Sequence, residues 1–199
     1  MIYPEIAELL IEMRNEDLAV RERLIQNGQL GKGYNPEMKK VHLRNTKQLE
    51  QIIQKIGYPT QVLVGQEASE AAWLIVQHSI EQPTFMKNCL QLLEVEVQNH
   101  QVSAKDLAYL GDRIAVLEGK PQSYGTQFDW NDQGQLVPNE IENPSEVNQR
   151  RSAIGLTTLE EQTALIRHQA ELENQNPPTD WWSRKQEIDR WKRSVGWIS

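Results

Sequence analysis

Apolar residues recur at spacings of three and four along most of the chain, which is the period of an amphipathic α-helix. Prolines at first helical positions mark several of the starts. Thr158 with Glu161 predicts a capping box for the sixth helix, and Thr179 or Asp180 is expected to cap the seventh. The pattern predicts seven helices, at about residues 4–26, 36–56, 66–79, 83–97, 103–118, 158–173 and 179–199. Loops are expected at residues 28–36 and, after residue 137, over the polar stretch at residues 138–156. We therefore expect a mainly α fold, a single-domain bundle of about seven helices.

The stretch KPQSYGTQFDWNDQGQLVP, residues 120–138, departs from this helical period. Gly119 and Pro121 end the fifth helix, and residues 131–134 form a turn between two short extended runs. The sequence thus predicts a short β-hairpin-like insert after the fifth helix. Because polar loops held by a rigid scaffold often carry function, we expect a site beside this insert.

The C-terminal segment holds four of the six tryptophans, at positions 181, 182, 191 and 197. Residues 174–178 read as a linker. The predicted organisation is a helical body at 1–175, with the insert at 120–138, and a Trp-rich docking helix at 176–199. Docking on the body is favoured because intramolecular burial of the rings costs no association entropy. The alternative is an interface for a homodimer or a protein partner.

The charge balance narrows the classes of partner. The 199 residues carry a net charge of −7, which argues against nucleic-acid binding.

Cys89 is the single cysteine, so no intrachain disulfide can form, and its apolar neighbours favour a buried, inert thiol. The N-terminal segment lacks the pattern of a signal peptide, and the longest apolar run, Ala71–Val76, is too short to cross a membrane. We expect a soluble, cytoplasmic protein with no membrane partner.

Two histidines are candidates for proton transfer. His78 follows the apolar run of the third helix and shares a face with Ala71 and Leu74, so it should be partly buried and could act as a general acid or base. His42 and Asn45 lie at the edge of the core face of the second helix and are candidates for substrate binding. For both histidines the alternative is a hydrogen-bonded core residue.

Asp112 falls within a second apolar face of the fifth helix, so it should be buried or line a cleft. A buried carboxylate needs a cation or several hydrogen-bond donors. We predict that it is catalytic, orienting His78 or pairing with Arg113. The alternative is a purely structural pairing with a buried arginine or a helix N-terminus.

Polar residues around the insert are candidates for binding a small polar or anionic ligand. Tyr124 and Gln127 follow the fifth helix, and Arg151 has a guanidinium that matches carboxylate or phosphate. The alternatives are that Tyr124 and Gln127 satisfy loop backbone groups and that Arg150 and Arg151 are a solvated pair.

Metal and cofactor motifs do not occur in the sequence. There is no HExxH, HxH or Cys/His pairing, no GxGxxG or phosphate-binding GxxxxGK, and no GxSxG. The sequence therefore predicts no metal and no cofactor, and the alternative is a metal held by ligands that are distant in the chain.

The segments AAWLIVQH, LAYLGDRIAV, EGKPQSYGTQ and QRRSAIGL occur in that order. Together with GYNPEMKKVHLRNTKQLEQIIQKIGYP, they resemble an uncharacterised bacterial helical domain family, a domain of unknown function, over most of residues 10–175. The resemblance implies a helical fold and a bacterial origin, and supplies no reaction. The family has alanine and aspartate where this chain has Ser79 and Ile80. The positions it picks out are His42, His78, Asp112, Arg113, Gln127 and Arg151.

Two functions from different classes fit these residues. The first is a small enzyme, a hydrolase or transferase, that uses a His-based polar pocket on a small polar or anionic substrate. The second is a non-catalytic interaction module of a regulatory or immunity type, in which the same polar residues form a buried structural network.

Overall fold

The structure, a computed structural model, describes residues 1–29 and 34–199. Over these residues the chain forms nine α-helices, a 3₁₀ turn at Pro144–Glu146 and one two-stranded sheet. In chain order the elements are α1 (Pro4–Gln26), α2 (Pro36–Ile56), α3 (Gln61–Val64), α4 (Gln66–His78), α5 (Pro83–Gln98), α6 (Ala104–Leu117), β1 (Phe128–Trp130), β2 (Leu136–Pro138), α7 (Val147–Ala153), α8 (Leu159–Leu172) and α9 (Trp181–Val195). The mainly α class and all seven predicted helices are confirmed. The loop predicted at residues 28–36 lies partly outside the described residues.

Two short helices were not predicted. α3 has four residues, and α7 lies in a stretch that the sequence led us to expect as a polar loop. That expectation is wrong for α7, whose buried side chains are Val147 and Arg151. A helix of seven residues with one apolar and one cationic buried position gives no periodic apolar signal.

Contacts divide the chain into two compact units, an N-terminal unit (Met1–Ser103) and a C-terminal unit (Ala104–Ser199). The predicted division into a body at 1–175 and a docking helix at 176–199 stays a prediction. In the described part of the chain, no helix is both long and apolar enough to cross a bilayer.

The N-terminal unit is organised around α4. This helix packs against α1, α2, α3 and α5, and α1 also packs against α2. Its core contains the fully buried side chains of Leu10, Leu24, Leu49, Ile75, Val76, Met86 and Leu93. Cys89 is buried here as predicted, and burial raises the pKa of its thiol to about 12, which leaves it inert at neutral pH.

The C-terminal unit contains the predicted hairpin. β1 and β2 pair antiparallel, with Trp130 opposite Leu136. The turn between them is closed by Oδ1 of Asn131, which accepts hydrogen bonds from the backbone N–H groups of Gln133 and Gln135. Gly134 lies in the same turn with a φ of +72°, a conformation that favours glycine.

Two helices of the C-terminal unit start at caps that the sequence predicts. Thr158 and Glu161 form a capping box at the start of α8, and Asp180 caps α9.

The tryptophan-rich helix α9 packs within the C-terminal unit. Nε1 of Trp181 donates a 2.7 Å hydrogen bond to the carbonyl of Trp130, and Arg184 forms a 2.8 Å ion pair with Asp129. Trp197, just after the helix, is buried. These contacts fit the predicted docking role of the helix.

Candidate functional site

A buried carboxylate lies at the centre of a histidine cluster in the N-terminal unit. Asp17 belongs to the buried face of α1, and its side chain is 1% exposed. Nδ1 of His78 lies 2.9 Å from Oδ2 of Asp17, and Nε2 of His42 lies 3.3 Å from the same oxygen. The two imidazole centroids are 4.8 Å apart. One carboxylate is thus flanked by two imidazoles, and we call Asp17, His42 and His78 the histidine cluster.

The two histidines differ in their access to solvent. The side chain of His42 is 10% exposed, whereas that of His78, the last residue of α4, is 22% exposed. His78 is therefore partly buried, as predicted, and is the member of the cluster that a small molecule reaches most readily.

Tyr34 contacts the cluster from the residues just before α2. Its hydroxyl lies 2.6 Å from Nδ1 of His42, and the two rings are stacked. Burial raises the pKa of the Tyr34 hydroxyl above its ordinary value, and the negative charges of Glu81 and Asp17 raise it further. Tyr34 is therefore a neutral hydroxyl that fixes the orientation of the His42 ring.

Polar contacts join the helices that carry the histidine cluster. Nδ2 of Asn45 donates a 3.2 Å hydrogen bond to the carbonyl of Met13, which joins α2 to α1. The hydroxyls of Thr46 and Ser79 lie 2.7 Å apart, which joins α2 to the end of α4 beside His78. Asn45 thus positions helices, and its predicted role in substrate binding stays a prediction.

The charge state of Asp17 follows from its neighbours. Burial alone would raise the pKa of this carboxyl, but its close contacts with His42 and His78 and the positive charge of their imidazolium forms outweigh burial. The net effect holds the pKa of Asp17 well below its ordinary value. The carboxylate stays ionised and can orient an imidazole and stabilise its protonated form.

Asp112, in the C-terminal unit, anchors the start of the insert. It is buried, as predicted, and its two oxygens accept hydrogen bonds from the backbone N–H groups of Ser123, Tyr124 and Thr126 and from the Thr126 hydroxyl, at 2.8–3.1 Å. Gly125 lies inside this loop with a φ of +68°. A Cβ at Gly125 would come within 2.7 Å of the Leu159 side chain, so the loop needs glycine there.

Gln127 and Gln122 close the same loop. The Gln122 side chain donates to the carbonyls of Gln127 and Asn139 and accepts from the N–H of Gln127. Nε of Arg113 donates to Oε1 of Gln127 at 3.2 Å. Gln122 is fully buried, and sequence reasoning missed it because glutamine in a polar loop resembles an exposed residue.

Arg151 is fully buried, so the alternative of a solvated pair with Arg150 is wrong. Its Nε donates to the carbonyl of Thr157, and an Nη donates to the carbonyl of Tyr124. Arg150 donates to the carbonyls of Ser123, Glu142 and Asn143. Backbone oxygens accept these hydrogen bonds, and Arg150 also forms a 3.6 Å ion pair with Glu146.

The predicted site residues belong to two units. His42, Asn45 and His78 lie in the N-terminal unit, where the two histidines meet. Asp112, Arg113, Tyr124, Gln127 and Arg151 lie in the C-terminal unit around the loop after α6. Their predicted catalytic and binding roles stay predictions.

Sequence reasoning missed Asp17 and Tyr34. Asp17 had a detectable signal, because it lies four residues after Met13 and seven before Leu24 on the buried stripe of α1. Tyr34 lies next to a loop and gives no periodic signal.

A comparison with protein families places residues 4–174 in a family of unknown function, DUF6624, and the chain belongs to this family. No curated protein matches the chain. No solved structure matches it either.

Proposed function

We propose that this member of the family is a small enzyme, a hydrolase or transferase, whose reacting site is the histidine cluster. The observation that carries the proposal is the buried Asp17 carboxylate between two imidazoles, one of which reaches solvent. Ionisable groups that are buried, coupled and partly accessible are the usual components of acid–base catalysis.

The positions of the residues give each a different role in proton transfer. His78 transfers the proton, because it is the most exposed member of the cluster. Asp17 accepts from Nδ1–H of His78, and that tautomer makes Nε2 the basic atom of the ring. In this proposal Asp17 orients His78. The orienting role expected for Asp112 from the sequence stays a prediction.

His42 and Tyr34 complete the site. Tyr34 holds the His42 ring through Nδ1, and Nε2 of His42 lies 3.3 Å from Oδ2 of Asp17. Two imidazoles that can carry positive charge favour a substrate with an anionic or strongly polar group, which supports the predicted class of small polar or anionic ligand.

A substrate screen tests the proposal. Wild-type protein and a His42→Asn/His78→Asn double variant would be assayed with nitrophenyl esters, phosphate monoesters and activated acyl donors, and for ligand-induced thermal stabilisation by small anions. We expect one chemical class to be turned over or bound by the wild type and lost in the double variant. No turnover and no stabilisation by any class would contradict the proposal.

A protein-interaction module is the second candidate. Trp182 favours it, because this large ring on α9 is 66% exposed. Capture of a defined partner by the wild type, lost with Trp182→Ala and retained with His78→Asn, would support this function over the enzyme.

A further inference from the structure

Two polar atoms of the histidine cluster are buried without a hydrogen-bond partner among the described residues. They are Oδ1 of Asp17 and Nε2 of His42. Nε2 lies 3.3 Å from Oδ2 of Asp17, but that oxygen is off the direction in which a ring N–H or lone pair points. A buried polar atom without a partner costs stability, so two of them in one cluster call for an explanation.

The spacing of the cluster matches a metal centre. One ligand atom each from Asp17, His42 and His78 lie within 4.8 Å of one another. A tetrahedral ion with bonds of about 2.0–2.2 Å separates its ligand atoms by about 3.3–3.6 Å. Side-chain shifts of about 1 Å would therefore bring all three atoms into coordination.

The surroundings of His42 are those of a metal ligand. A metal-bound imidazole usually has its second nitrogen in a hydrogen bond that fixes its orientation. Nδ1 of His42 has this bond, 2.6 Å from the Tyr34 hydroxyl, which leaves Nε2 as the coordinating atom.

We propose that Asp17, His42 and His78 bind one divalent transition-metal ion of the zinc class. Two nitrogen donors and one carboxylate favour Zn²⁺ or a neighbouring first-row ion over Ca²⁺ and Mg²⁺, which prefer oxygen ligands. Three protein ligands leave a coordination position for water or substrate, as catalytic zinc sites do. The inference rests on the proposed function in placing the reaction at the same residues, and metal binding is measurable without any reaction.

The protonated and metal-bound forms of the cluster exclude each other. The hydrogen bond from Nδ1 of His78 to Asp17 occupies space that an ion bound by both residues would fill. Metal binding therefore replaces that bond, with release of the proton, as imidazole ligands require.

Metal titration tests the inference. Tag-free protein would be stripped with a chelator and titrated with Co²⁺, whose visible absorption reports the ligand field, and then with Zn²⁺ in competition. We expect one ion per chain, displacement of Co²⁺ by Zn²⁺, and a rise in the unfolding temperature. Tyr34→Phe should weaken binding about 10-fold, and His42→Gln or His78→Gln by more than about 100-fold.

The control is His168→Gln, because His168 is exposed on α8. Its affinity for Co²⁺ should equal that of the wild type. Absence of saturable one-to-one binding would overturn the inference, as would equal affinity in the His42, His78 and His168 variants. Metal binding without turnover would count against the proposed function alone, and turnover without saturable metal binding would count against the metal site alone.

Discussion

Nδ1 of His78 lies 2.9 Å from Oδ2 of Asp17, although 61 positions separate the two residues in the chain. This contact joins the end of α4 to the buried face of α1, and His42 brings in α2. Two helices thus place imidazoles on the buried carboxylate of a third, where apolar side chains would pack with less desolvation cost. Such a cluster in the N-terminal unit is the basis of the functional account.

Asp17 should make the free energy of unfolding depend on pH. Its pKa is lowered in the folded state, so its contribution is fully present above its ordinary value of about 3.9 and is lost as the pH falls through the lowered folded pKa. Asp17→Asn should therefore cost about 3 kcal/mol at pH 5, and this difference from the wild type should shrink as the pH falls towards 2. Urea unfolding in the presence of a chelator measures it.

Asp132→Asn is the matched control for Asp17, because Asp132 is exposed in the hairpin turn. It should follow the wild type within about 0.5 kcal/mol at every pH. A constant difference between wild type and Asp17→Asn from pH 5 to pH 2 would show that Asp17 is not held ionised by the histidines.

Asp112→Asn should loosen the loop after α6. The amide replaces one of the two acceptor oxygens with a donor. Oδ1 accepts from the N–H groups of Ser123 and Tyr124, and Oδ2 from those of Tyr124 and Thr126, so at least two hydrogen bonds are lost whichever oxygen is replaced. We expect a loss of about 2 kcal/mol in stability and faster hydrogen exchange at those three amides. Exchange rates equal to those of the wild type would contradict the anchoring role.

Arg151→Lys tests whether the buried guanidinium is a structural anchor. A lysine ammonium cannot reproduce the planar fork that reaches the carbonyls of Thr157 and Tyr124. The variant should lose about 3 kcal/mol in the free energy of unfolding, whereas Arg190→Lys, at an exposed position, should stay within about 0.5 kcal/mol. Equal stability of the two variants would exclude the anchor.

Two tryptophans near the C-terminus should differ in how much stability they contribute. Trp197 is 5% exposed and Trp182 is 66% exposed. Trp197→Ala should cost about 3 kcal/mol, and Trp182→Ala less than about 0.5 kcal/mol, in thermal or urea unfolding. If Trp197→Ala leaves stability unchanged, the C-terminal segment does not contribute to the core of its unit.

Much of the fold was predictable because its signals are local. Prolines at 4, 36 and 83 begin helices, the capping box of Thr158 and Glu161 begins α8, and the Asn131–Gly134 turn separates the two strands. These features depend on residues within a few positions of one another. The helix α7 has no such signal, because its buried positions are one valine and one arginine.

The candidate site was only partly predictable because it depends on long-range contacts. His78 was identified from its apolar neighbours, and His42 from its place at the edge of the core face of α2. Their shared partner, Asp17, lies on another helix. Its place on the buried stripe of α1 indicates burial, but local sequence does not indicate which residues it contacts. Asp112 was correctly placed inside the protein, but its partners come from the loop that follows its own helix.

The central claim is that the histidine cluster is the reacting site of the protein. Its most direct test compares His78→Asn with His168→Asn, using the substrate or ligand found by screening and measuring turnover or affinity together with the free energy of unfolding. The account predicts a loss of about 100-fold or more in His78→Asn, none in His168→Asn, and unfolding free energies within about 1 kcal/mol of the wild type. Undiminished turnover and binding in a folded His78→Asn protein would contradict it.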